Sequence, residues 1–194
     1  MKPVLIGCEC SAIVRDEFRA RGLDAWSCDI KPCEGDPQWH IRGDVMDAIT
    51  SRRWDFIGLH PDCTCLAVSG NRWYGRGQPR HNERVTTLAW TAHLWKLAVT
   101  RSRFAYLENP VGVINDIVGM PKPQYIQPWQ FGHGETKKTG LWLNGLPPLA
   151  PTNIVDGREQ KVWRMGPSKT RKADRSRTHQ GVAAAMAGQW GNLI

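Results

Sequence analysis

The sequence predicts an α/β fold, a mostly parallel sheet with helices on both faces, and three observations predict it. Short apolar, strand-like runs alternate with helix-like segments through the first half of the chain. This alternation is the signature of βα units wound onto one sheet. Polar and charged residues also gather directly after those runs, as in open α/β sheets, where ligands sit beyond the carboxyl ends of the strands. Finally, 194 residues suit one domain with a substantial core.

The elements follow in order. Residues 3–7 form a short apolar run. Residues 11–21 carry Ile13, Val14 and Phe18 at helical spacing, with Gly22 placed to end the helix. Residues 25–28 read as a strand leading to Asp29, and a loop of Pro, Gly and charge then reaches Gly43-Asp44-Val45. Residues 54–59 are a strand running into His60-Pro61-Asp62-Cys63-Thr64-Cys65. Residues 69–82, rich in Gly, Asn, Arg and Pro, read as a long mobile loop. Across residues 83–100, Val85, Leu88, Ala92, Trp95 and Val99 make one apolar helical face. Residues 104–107 are the next strand, ending in Glu108-Asn109-Pro110.

The second half is less regular. Many prolines surround a strand-like run at residues 141–143. Residues 158–177 hold eight Lys or Arg against Glu159 and Asp174, and residues 181–190 form an Ala-rich helix. No internal repeat is present. The expected division is a core over 1–148, a short basic segment over 149–180, and a helix over 181–194 packing back on the core.

Composition narrows the class. No apolar run approaches the ~18–20 residues of a membrane span. The N-terminus enters a strand with no signal-peptide layout. The formal charge of +8 favours a polyanionic partner, nucleic acid first. All six cysteines fall in the first third, unlike a disulfide framework, so free thiols in the cytoplasm are expected. Cys8/Cys10 and Cys63/Cys65 with His40 and His60 invite a zinc reading, but the usual two-residue-gapped Cys pairs are missing and no metal is expected. Most of the ten tryptophans read as packing residues, with one or two available to stack on bases.

A thiol on a turn at one strand end and a carboxylate at the next can meet over a small planar ring. Cys63 and Glu108 suit covalent activation of a pyrimidine: sulfur adds to C6, the carboxyl group holds a proton at N3, and C5 becomes nucleophilic. An ordinary buried thiol and a helix-capping glutamate are the plainer alternatives.

The ordered segments resemble the cytosine-C5 DNA methyltransferases, especially their small phage-type members. Val4-Leu5-Ile6-Gly7-Cys8-Glu9-Cys10-Ser11 stands at the family's first cofactor loop. Cys28-Asp29 matches the acid that binds the cofactor ribose, and Gly43-Asp44-Val45 the acid that meets the adenine amino group. Pro61-Asp62-Cys63-Thr64 resembles Pro-Pro-Cys-Gln, and Glu108-Asn109-Pro110 resembles Glu-Asn-Val. The run from Phe131-Gly132 through Lys137-Lys138-Thr139-Gly140 resembles the segment that completes the base pocket. Residues 181–191 resemble the family's C-terminal helix. The resemblance implies a Rossmann-like methyltransferase fold with a reduced recognition region and S-adenosylmethionine as cofactor. Gly7, Glu9, Ser11, Asp29, Asp44 and Pro61 would hold it. Cys63 would be the nucleophile, with Glu108 on N3 and Lys137 or Lys138 toward O2. Glu9 could equally cap the helix that follows it.

The expected partner is DNA, met by Lys137, by Arg72 and Trp73 of a closing loop, and by Arg171, Lys172, Arg175 and Arg177 of the basic segment, the protein acting as a monomer with low sequence selectivity. Two departures stand out. Asp62 replaces the second proline beside the thiol, where an acid disfavours thiolate. Lys137 and Lys138 stand where the family has paired arginines, and a lysine is a point charge, not a planar fork. A free pyrimidine nucleotide or RNA as substrate, and an inactive homologue that only binds cofactor or DNA, are the competing readings.

Overall fold

The structure, a computed structural model, describes residues 2–161, 166, 168 and 171–194, with Lys172 by its backbone alone. The strands are β1 (Pro3–Gly7), β2 (Asp24–Asp29), β3 (His40–Arg42), β4 (Phe56–Leu59), β5 (Phe104–Pro110), β6 (Gln124–Ile126) and β7 (Thr139–Asn144). They form one seven-stranded sheet in the order β3-β2-β1-β4-β5-β7-β6. The first five run parallel, and β7 lies antiparallel between β5 and β6. The helices are α1 (Ile13–Arg19), α2 (Val45–Ser51), α3 (Asn71–Tyr74), α4 (His81–Arg101), α5 (Arg171–Ser176) and α6 (Gln180–Trp190).

Strand alternation sends successive side chains to opposite faces. Val4, Ile6, Phe56 and Tyr106 meet Val14 and Phe18 of α1 with Val182, Met186 and Trp190 of α6. On the other face Leu5, Ile57, Leu59 and Leu107 meet Ala48 and Ile49 of α2 with Leu94, Trp95 and Ala98 of α4. The helix over 180–190 thus covers the sheet beside α1. Trp190 Nε1 donates to the Pro147 carbonyl at 3.0 Å, and Arg21 reaches the Ala184 carbonyl at 3.1 Å.

Several sequence expectations shift. Gly22 ends α1 as expected: at φ 79° it closes bonds from its own N–H to Arg19 O and from Leu23 N–H to Phe18 O. The α4 face is rotated. Arg84, Thr91, Leu94, Trp95 and Ala98 are buried, while Val85 is 52% exposed. Two polar residues sit on the buried face, Thr91 bonding its own helix at Thr87 O, and apolar periodicity cannot register them. Residues 69–82 hold α3 and a short 3-10 turn rather than continuous loop. Strand β5 runs through Pro110, because β7 pairs Glu108 with Leu141 and Pro110 with Thr139. Strands β3 and β6 and helix α2 are additions. The two strands have three residues each, too few for a periodic signal.

Candidate active site

The cofactor-side residues sit on one rim. Gly7 ends β1 where a Cβ would lie 2.5 Å from Val45 Cγ2 and 3.0 Å from Leu59 Cδ2, so close packing requires glycine here. The chain then turns through left-handed backbone at Cys8 (φ 59°) and Ala12 (φ 65°). Glu9 is buried inside this turn. Its Oε1 accepts from Val14 N–H at 2.7 Å and Ser11 Oγ at 3.2 Å, and its Oε2 from Arg15 N–H at 3.2 Å. Both oxygens therefore serve the N-terminus of α1, the capping alternative. Burial pushes the Glu9 carboxyl up, against the His60 charge and these N–H bonds.

Asp29 ends β2 and accepts from Lys31 N–H through Oδ1 at 2.9 Å. Asp44 caps α2, Oδ1 accepting from Met46 N–H at 2.7 Å. In each acid the second oxygen takes no hydrogen bond from the described residues. Burial, and then the nearby charges of Asp29 and Asp44, push the Cys8 thiol far up, so both acids bear on the same loop. Two carboxylates with one oxygen each to offer fit a ribose diol and an exocyclic amine.

The loop that carries Cys63 leaves β4 at His60, whose N–H donates to Gly7 O at 3.0 Å. Asp62 Oδ1 accepts from Thr64 N–H at 2.8 Å and Thr64 Oγ1 at 2.5 Å, and Cys63 O accepts from the N–H groups of Leu66 and Ala67. Three elements pin the loop. Asn109 Nδ2 donates to Pro61 O at 2.8 Å. The buried Arg84 of α4 donates to Cys65 O at 2.6 Å, Asn71 Oδ1 at 2.8 Å and Ala67 O at 3.4 Å. Backbone bonds join Val113 N–H to Leu66 O and Val68 N–H to Val111 O. Where these cross, a Cβ on Gly112 would lie 2.1 Å from Leu66 O. The clamped residues, 61–68, precede the loop expected over 69–82, of which Asn71 alone is tied to Arg84 in this set of bonds.

Glu108 lies one residue beyond the last β4–β5 pair, Leu59 with Leu107, and so stands level with His60. Its Oε2 is 3.3 Å from His60 Nδ1, and His60 Nε2 is 2.7 Å from the Tyr106 hydroxyl. Burial raises the Glu108 carboxyl, but the His60 hydrogen bond and charge, with Lys137 and His179, outweigh it and hold the group below its usual value. Cys63 is partly buried. Burial, then the charges of Glu108 and Asp62, push its thiol up, and Lys137 opposes them. Glu108 and Lys137 thus act on Cys63 with opposite sign, and Glu108, Lys137, Thr139 and His179 line one small cavity. Lys137 Nζ is steadied by the Arg177 carbonyl at 3.0 Å.

Lys138 requires correction as a catalytic candidate. It leaves the extended chain on the other side from Lys137, and its Nζ sits 4.5 Å from the Tyr125 ring. Of the nucleic-acid candidates, Arg72 and Trp73 are exposed on α3, with the guanidinium 5.2 Å from the indole. Arg171 and Arg175 are half-buried on α5, and the Lys172 side chain lies outside the described residues. Arg177 already pairs with Glu34 at 2.9 Å and Asp174 at 2.5 Å. Among the described residues no cluster of three His, Cys, Asp or Glu could hold a metal.

Sequence reasoning gave His60 only a metal role and passed over Tyr106 and Arg84. Alternation was the available signal for the first two, since 58 and 60 share a face of β4 and its extension, as do 106 and 108 of β5.

No protein-family profile and no curated protein matches this chain. Solved structures do. The methyltransferase EhMeth of Entamoeba histolytica superposes with a TM-score of 0.50 at 10% identity, over 80% of this chain and 58% of that one. The S. pombe Dnmt2 methyltransferase gives 0.49 at 12% identity, over 84% and 53%. The chain has a methyltransferase fold. It spans little more than half the length of these two structures.

Proposed function

We propose that this chain transfers a methyl group from S-adenosylmethionine to C5 of cytosine in DNA. The observation that carries the reading is that Glu108 and Lys137 line one cavity and both act electrostatically on Cys63, which follows the parallel strand next to the one that carries Glu108. Asp29 and Asp44 fit the ribose and adenine ends of the cofactor, with Gly7 and Pro61 shaping the rim between them. Bound there, S-adenosylmethionine supplies the methyl group that C5 takes. The Cys63 thiol gives its proton to the ionised Glu108 carboxylate, which passes it to N3 as the sulfur adds to C6, and the Lys137 ammonium balances charge toward O2. Solvent water then takes the C5 proton, the S–C6 bond breaks, and the N3 proton returns through Glu108 to the Cys63 sulfur. The target base must leave its stack or arrive single-stranded, since Cys63 lies inside the rim.

DNA as the partner draws on the chain's basic balance and on exposed Arg72 and Trp73. Selectivity of a few base pairs at most follows from the short stretch between β7 and α6. Incubating the chain with isotope-labelled S-adenosylmethionine and single- or double-stranded DNA, or RNA, followed by nucleoside mass spectrometry, tests the reading. Labelled 5-methylcytosine from DNA is expected, lost in Cys63→Ser and largely kept in Cys65→Ser. Label only in RNA, no label at all, or a covalent adduct mapped to Cys65 overturns it.

A further inference from the structure

We propose that His60, its tautomer set by the Tyr106 hydroxyl, is a positioning residue that holds the Glu108 carboxylate ionised and turned with one oxygen toward the base cavity. The role assigned to Glu108 rests on the function proposed above; the His60–Tyr106 lock does not.

Hydrogen-bond bookkeeping carries the argument. Tyr106 is fully buried, and its hydroxyl has one described partner, His60 Nε2 at 2.7 Å. A buried hydroxyl proton left without an acceptor costs ~1–3 kcal/mol. The phenol is also kept protonated, because burial and then the charges of Glu9 and Glu108 push its ionisation well above the ordinary range. When the ring is neutral, the O–H donates and Nε2 accepts; when it is protonated, both ring nitrogens donate and its charge favours the ionised Glu108. The neutral ring must then carry its proton on Nδ1, which faces Glu108 Oε2 at 3.3 Å. The opposite tautomer would set a lone pair against a carboxylate and strand the phenol proton. Oε1 of Glu108 takes no hydrogen bond from the described residues, and the side chain lines the cavity.

The scaffold supports this arrangement. Gly58, paired with Tyr106 across β4 and β5, has no side chain, and a Cβ there would lie 2.5–2.6 Å from the Tyr106 ring and hydroxyl. The phenol can thus lie across β4 toward His60. The Trp190 ring of α6, 5.2 Å from the Tyr106 ring, backs it from below. The other titratable groups around the pair are Glu9 after β1, Lys137 ahead of β7, His179 ahead of α6, and Cys63. Lys137 and His179 also favour an ionised Glu108, whereas Glu9 shares the imidazole's field without touching Glu108.

The test uses the full chain with ¹⁵N-histidine and carboxyl-¹³C-glutamate, read by NMR against pH. Neutral His60 is expected as the Nδ1–H tautomer, and Tyr106→Phe, which loses one oxygen and little else, should release it to a mixture. His60→Leu should raise the Glu108 titration, because burial then acts against less opposition; His60→Gln, which keeps a donor, should raise it less. Methyl transfer in His60→Leu should slow by about 10–100-fold, short of the ~10²–10⁴ for losing the acid–base group itself, with partial rescue in His60→Gln. An Nε2–H tautomer in the wild type, or a Glu108 titration unmoved by His60→Leu, overturns the proposal whatever the turnover. A locked tautomer in a chain that modifies no cytosine overturns the proposed function and leaves the lock standing.

Discussion

At the scale of single residues, the site separates neighbours that the sequence presents as equals. Lys137 and Lys138 are adjacent cations in one motif, yet only Lys137 bears on Cys63 and Glu108, while Lys138 stacks on Tyr125 at the surface. Lys137→Ala should slow methyl transfer at least tenfold and leave the Cys63 thiol harder to ionise, since it removes the charge that opposes Glu108 and Asp62. Lys138→Ala should change turnover by less than about twofold, because an exposed cation–π contact is worth only ~0.5–1 kcal/mol of stability. Single-turnover rates, with the pH dependence of Cys63 alkylation, check both. Equal losses in the two variants would return Lys138 to the site.

At the scale of elements, the loop that carries Cys63 is shaped by what crosses it. Arg84 donates to two of its carbonyls and to Asn71, tying the start of α4 to the turn after Cys63. Its methylenes and guanidinium are buried, so losing them strands acceptors that cost ~1–3 kcal/mol each. Arg84→Met should therefore lower the unfolding free energy by about 2–4 kcal/mol and, where the chain still folds, reduce Cys63 adduct formation on 5-fluorocytosine DNA. Gly112→Ala should act in the same direction from the other side, since its new methyl would meet the Leu66 carbonyl. Denaturant unfolding read beside adduct yield separates the effects, and full yield from either variant would show that the clamp does not set the loop.

At the scale of the whole molecule, the charge of +8 is unevenly available. Arg177 is held by Glu34 and Asp174, so the chain uses it to join α5 to the loop after β2. Arg171 and Arg175 have no ion pair among the described residues, so under the proposed function they are the candidates for phosphate contact. Replacing both with Gln should lower the slope of log affinity for DNA against log salt by up to about 2, at ~0.9 per duplex phosphate contact. Arg177→Gln should change the slope little and instead loosen α5. Fluorescence anisotropy across a salt series reads this directly, and a slope that falls only with Arg177 would reverse the assignment.

The sequence by itself determined the layers and the edge on which chemistry gathers. Apolar runs at 3–7, 54–59 and 104–107 read as strands and contain β1, β4 and the start of β5, and Asp29, Asp44, Cys63 and Glu108 fall at or after strand ends. Gly22 and the apolar face of residues 180–190 were equally legible, because backbone conformation and periodicity are local properties. Tertiary structure decided the rest. Pairing with β7 extended β5 through Glu108, and packing rotated α4 onto Arg84 and Thr91. Both Glu9 oxygens went to α1, and Lys137 lines the cavity with Glu108 while Lys138 lies over the Tyr125 ring. The His60–Tyr106–Glu108 chain joins residues 46 and 48 positions apart. Such choices turn on which polar groups find partners once water is excluded, and a hydrogen bond between distant residues leaves no periodic trace along the chain.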